Sequence, residues 1–204
     1  MTVNVQKRRR YKIRRISRPP VPPAQPAELT EGQRLYILLT FIAAAGFFAG
    51  AYSFCSYGGY FSAVPGTNMY DSFIKSLCAV MIYIVLCFFS GLSAPGQAVG
   101  FVLCVFKGMG AGFLSAWAVK SGDIRIAADI LPFEAISIVT VILAARENIR
   151  MSRLISRRSF SDSESTGKGD LRLYFAKFAV ITLTGAAAAA VDGIIAAVTG
   201  NMIN

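Results

Sequence analysis

Between Gly91 and Arg146 the chain carries two apolar runs of roughly the 20 residues that cross a bilayer, and each holds one charge well inside it: Lys107 in the first and Glu134 in the second. A lone charge at the centre of a membrane helix disfavours insertion by about 2.5–3.5 kcal/mol, so such a residue faces protein, water or an opposite charge. Any fold of this chain must give both residues such a setting.

The rest of the sequence places these runs in a membrane protein. Its 204 residues are 54% hydrophobic and 16% charged, whereas soluble domains carry about a quarter charged residues. Because lipid offers the backbone no hydrogen-bond partners, the expected fold class is an all-α polytopic membrane helix bundle. The net charge of +10 does not indicate nucleic acid, since the basic residues concentrate in the first 18 positions and between Arg146 and Lys177. Two such clusters are the pattern of flanks on one side of a membrane. The sequence has no histidine, which excludes His-dependent triads and weakens a metal reading. Cys55, Cys78, Cys87 and Cys104 show no Cys-x-x-Cys spacing and read as small core hydrophobes. No catalytic, cofactor or metal residues are assigned, and an enzyme is not expected.

Residues 1–30 read as a basic, Pro-rich cytoplasmic leader. Its cations, from Lys7 to Arg18, have no acid among them and repel one another into solvated, extended chain. They attract anionic lipid at about 1 kcal/mol each near the surface. Pro19 to Pro26 form a polyproline-type spacer. A cleavable signal peptide is not expected behind such a leader.

Residues 31–204 form the bundle, with spans expected at about 35–54, 72–89, 98–119, 127–145 and 173–198. The first span holds Gly46-x-x-x-Gly50 and the third Gly108-x-x-x-Gly112, small faces on which helices approach closely. Tyr52, Tyr57 and Tyr60 mark an interfacial belt beside an external loop over 55–70. The uncharged link Leu92 to Gln97, with Pro95-Gly96, predicts a sharp turn at or within the membrane face. Pro132 lies in the first turns of the fourth span, where proline is tolerated best. Asn148 to Ile155 then carries that helix into water, ahead of a flexible Ser159–Gly169 loop. Asp192, near the far end of the fifth span, reads either as an interfacial acid or as a partner for Lys107 or Arg125. Five spans put both basic flanks inside and the C-terminus outside. In that register Lys107 and Glu134 both fall in the middle third of the bilayer. They either pair in the bundle interior or find water separately.

Gly91-Leu-Ser-Ala-Pro-Gly, Phe106-Lys107-Gly108-x-x-x-Gly112-Phe113 and Ile130-Leu131-Pro132 together resemble the stage II sporulation protein M family of endospore-forming Firmicutes. The likeness extends from about Tyr70 to the C-terminus and includes the late acid Asp192; the leader is unlike the family. Where the family pattern has Gln-Asn after Leu-Pro, this chain has Phe133-Glu134. The resemblance implies a non-enzymatic integral membrane scaffold of the cell membrane. Such a scaffold acts in engulfment of the forespore and recruits two membrane-anchored peptidoglycan-degrading partners, stage II sporulation proteins D and P. The residues of interest are then the intramembrane polar and packing set Lys107, Gly108, Gly112, Pro132, Glu134 and Asp192. A small ion- or proton-coupled transporter or channel built on the same charges is the alternative, although the sequence shows no internal repeat of the type many transporters carry.

Overall fold

The computed structural model describes residues 31–57, 69–122, 124–159 and 167–201. The leader, most of the 55–70 loop, residues 160–166 of the expected Ser159–Gly169 loop, and the side chains of Arg125 and Asp129 lie outside the described residues, while Ser159 and Gly167–Gly169 belong to helices. Five helices make up the fold: α1 Glu31–Tyr57, α2 Met69–Gly91, α3 Gly96–Lys120, α4 Ile124–Ser159 and α5 Gly167–Asn201. It is an all-α bundle with no strand among the described residues.

Four of the helices, α1, α2, α3 and α5, are long and apolar enough to cross a membrane by length and composition among the described residues. Each helix outruns the span expected from the sequence, because hydropathy marks the apolar stretch and not the polar turns that extend the helix beyond it. The extension is largest for α4, whose 36 residues correspond to about 54 Å at 1.5 Å per residue. That is well beyond the roughly 30 Å of a hydrocarbon core.

Successive helices run in alternating directions. The first turn of α1, the α2–α3 link, residues 146–153 of α4 and the start of α5 share one end, since Glu31 meets Arg153, Ser152 meets the link and Tyr174 meets Phe88. At the other end Phe54 of α1 stacks edge-on to Phe113 of α3, and Ser76 of α2 bonds Asp192 of α5.

α4 is the axis. It packs on all four other helices, which wrap it in the order α1, α3, α2, α5. The most charged helix is therefore the most sheltered: Phe133, Glu134, Ser137, Thr140, Val141, Ala144, Ala145, Asn148, Ile149 and Ser152 are all buried. Apolar side chains such as Phe41, Phe48, Val180 and Leu183 point outward instead, as expected where the surroundings are lipid and burial of apolar surface drives nothing.

Two corrections to the sequence reading concern α4. Pro132 is not in its first turns, since the helix begins at Ile124; at the ninth position the proline leaves the Ala128 carbonyl without its usual N–H donor. Asn148, Ile149 and Ser152 do not enter water but are fully enclosed. The helix carries them past the α2–α3 link, which covers that face.

The two links with described turns are closed by local hydrogen bonds. Between α2 and α3 the Ser93 hydroxyl donates to the Ser90 carbonyl at 2.7 Å and the Gly96 N–H to the Ser93 carbonyl at 3.2 Å. α3 ends where Ser121 N–H bonds the Trp117 carbonyl and Gly122, at φ 69°, bonds that of Val119. A left-handed glycine one position past the cap is a standard way to satisfy the last carbonyls.

Candidate functional site

Lys107 and Glu134 sit on facing sides of α3 and α4. The Lys107 Nζ donates to Glu134 Oε2 at 2.6 Å, and the two side chains retain 7% and 8% of their exposure. The rings of Tyr83 and Phe133 flank the ammonium, each centroid 5.9 Å away, close enough for cation–π attraction. The pair thus has its charge neutralised and its rim closed by aromatic surface from α2 and α4. Antiparallel α3 and α4 bring the two positions level, which is why charges 27 residues apart meet.

Beside the pair runs a glycine seam. Gly108 and Gly112 of α3 face Gly46 and Gly50 of α1, and all four lie in contact with backbone. A Cβ on Gly108 would meet the Ala43 carbonyl oxygen at 2.3 Å, and one on Gly112 that of Phe47 at 1.9 Å. Reciprocally, a Cβ on Gly46 would meet the Val105 oxygen at 2.5 Å and one on Gly50 that of Met109 at 2.0 Å. The contact partners advance together along both helices, so α1 and α3 run parallel with two GxxxG faces interlocked. Backbones this close permit Cα–H···O contacts as well as dense dispersion. Gly110, on the opposite side, has open space around it.

Asp192 is buried and accepts a hydrogen bond from the Ser76 hydroxyl. It is not the ion-pair partner of Lys107, which is held by Glu134; the Arg125 side chain lies outside the described residues. Pro132 is exposed on α4, one turn or less from Glu134, and takes no part in the pair. The structure therefore pairs Lys107 with Glu134 and sets Gly108 and Gly112 against α1 on the same helix, while Pro132 and Asp192 take no part in that ion pair.

Sequence reasoning missed a second polar centre at the α2–α3 link. Asn148 Nδ2 donates to Ser90 Oγ at 2.7 Å, and Ser152 Oγ lies 2.9 Å from both the Ser93 and Ala94 carbonyls. Tyr174 of α5 donates to the Phe88 carbonyl at 2.8 Å and stacks on the Phe88 ring at 5.5 Å. Gly91 and Gly96 make this fit possible: Cβ atoms there would lie 2.2 Å from the Tyr174 hydroxyl and 1.9 Å from the Ser90 carbonyl oxygen. The available signal was the i, i+4 spacing of Asn148 and Ser152, which sets two small polar residues on one face and the arginines on another.

No family model, curated protein or solved structure matches this chain.

Proposed function

We propose that the protein is an integral membrane scaffold of the cell membrane, which holds a cell-wall-remodelling complex during spore formation and recruits membrane-anchored peptidoglycan hydrolases. The observation that carries this reading is the resemblance of Gly91–Gly96 and Phe106–Phe113 to stage II sporulation protein M. Both elements fall where the packing is tight: the link pinned by Asn148, Ser152 and Tyr174, and the seam where α3 meets α1. A closed ion pair between aromatic rings is a brace, which suits a protein that binds partners through helix faces rather than one that moves ions.

The orientation follows from charge. Arg34, Arg146, Arg150, Arg153, Arg157 and Arg172 all belong to the end where α1 begins. That end is cytoplasmic by the positive-inside rule, with the leader near anionic lipid and the C-terminus across the membrane. The decisive experiment is capture of the full-length protein from sporulating cells after in vivo crosslinking. A membrane-anchored wall hydrolase in the crosslinked complex, lost on deletion of the gene for this chain, is the expected result. The alternative, a small proton- or ion-coupled transporter, is favoured by one observation, the burial of Lys107, Glu134 and Asp192 in a single bundle. Flux into reconstituted vesicles that stops on Glu134→Gln would replace the scaffold reading with that one.

A further inference from the structure

The wrap around α4 is incomplete. Its neighbours follow one another as α1, α3, α2 and α5, and among the described residues α1 and α5 form no packed interface. One stripe of α4 therefore lies open between them. Ile136, Val139, Leu143, Arg146 and Arg150 recur at helical spacing on this stripe, and each is exposed or half-buried while the opposite face is enclosed.

The open stripe changes chemistry along its length. Level with Arg146, Tyr36 and Ile37 beside Gly32 and Gln33 of α1 flank one side in a hollow of about 410 Å³, and Val180 and Ile181 of α5 beside the Glu147–Lys177 pair flank the other in a hollow of about 400 Å³. Arg146 borders both hollows. Toward the α1-start end the stripe continues as Arg146, Arg150, Arg153 and Arg157, which line a recess of about 340 Å³ with Glu31 and Gly32. Gly32 carries no side chain over the Arg146 guanidinium, which lies 3.1 Å from where a Cβ would stand.

Among the described residues, the acids paired with these cations are fewer than the cations. Arg153 pairs with Glu31 at 3.5 Å, and Arg150 shares Glu147 with Lys177, at 3.4 and 2.8 Å. Arg146 and Arg157 have no acidic partner among the described residues. An excess of guanidinium between two hollows that each also expose apolar side chains, at the arginine-rich end of the bundle, calls for an anion attached to apolar chains. Guanidinium forks suit phosphate oxygens in particular.

We infer that the α1–α5 crevice is a binding site for one anionic phospholipid, its phosphate held by Arg146, Arg150 and Arg157 and its acyl chains laid against α4 on either side of Val139 and Leu143. Basic pockets between membrane helices bind acidic headgroups in this way. The site is built from residues of the bundle and depends only on the bundle being in a membrane, not on which proteins it recruits.

The test is native mass spectrometry of the full-length protein in a non-ionic detergent, titrated with phosphatidylglycerol or with phosphatidylcholine of the same chains. The expected result is one retained phosphatidylglycerol and no retained phosphatidylcholine. Each neutralised arginine removes about fivefold in affinity, so Arg146→Gln with Arg150→Gln weakens binding about 25-fold. Should that variant fold poorly, the exposed Arg157→Gln alone is expected to weaken it about fivefold, while Lys75→Gln, at the other end and paired with Asp71, changes nothing. Equal retention of both lipids, or insensitivity to Arg157→Gln, overturns the site. Glycerophosphoglycerol or inorganic phosphate displacing the lipid at equal concentration would show a soluble anion site and overturn the lipid assignment. Efficient disulfide crosslinking of two Val139→Cys copies in a bilayer would show that a second copy of the chain fills the crevice, and would overturn it equally.

Discussion

At the residue scale the Lys107–Glu134 pair illustrates how a buried charge is held without being a net source of stability. The desolvation of both groups roughly offsets their attraction, yet removing one strands the other. Lys107→Ala or Glu134→Ala is therefore expected to destabilise the bundle by about 3–5 kcal/mol, read as a lower unfolding temperature in detergent and reduced accumulation in cells. Lys107→Met combined with Glu134→Leu is expected to recover most of that loss, and the exchanged pair Lys107→Glu with Glu134→Lys part of it. If the double apolar variant is as unstable as either single change, the pair is not the energetic unit. Tyr174 poses a smaller case. Its hydroxyl satisfies the Phe88 carbonyl at 2.8 Å, so Tyr174→Phe keeps the ring stacking and loses about 1–3 kcal/mol through an unmet acceptor, measurable by the same unfolding assay.

At the element scale the bundle depends on which helices come closest, and the glycine seam between α1 and α3 decides that. Gly112→Ala puts a methyl group against the Phe47 carbonyl, where only backbone lies in the way, and the helices must separate. Gly110→Ala meets open space and brings the better helix propensity of alanine, a gain of up to about 1 kcal/mol. The two changes, one turn of helix apart or less, are expected to move the unfolding temperature in opposite directions. Equal effects would mean that α1 and α3 do not pack through their glycines. The same scale explains α4. A helix with buried Ser137, Thr140, Asn148 and Ser152 is poorly suited to lipid on all sides, and it is the one the others surround.

At the scale of the whole molecule, alternating helices place the start of α1 and the end of α5 at opposite ends, with Arg34, Arg146, Arg150, Arg153, Arg157 and Arg172 gathered at the first. Reporter fusions to the two termini are expected to report opposite compartments, and fusions reporting the same compartment would break this arrangement. The helical class, the approximate positions of the helices and the two charges that demand shelter were legible in the sequence. Each depends on local properties: apolar length, backbone satisfaction within a segment, and the cost of an ion in lipid. The glycine spacings at 46/50 and 108/112 were legible as small faces, but not as faces of one another. Likewise, Asn148 and Ser152 looked like residues on their way into water, because their partners at Ser90, Ser93 and Ala94 are about 58 residues distant in the chain. Tertiary structure alone decided that Lys107 meets Glu134 and not Asp192, that α4 lies at the centre, and that the ring of helices stops short between α1 and α5. Partnerships of this kind depend on how all five helices share the available surface, and no single stretch of sequence carries that information.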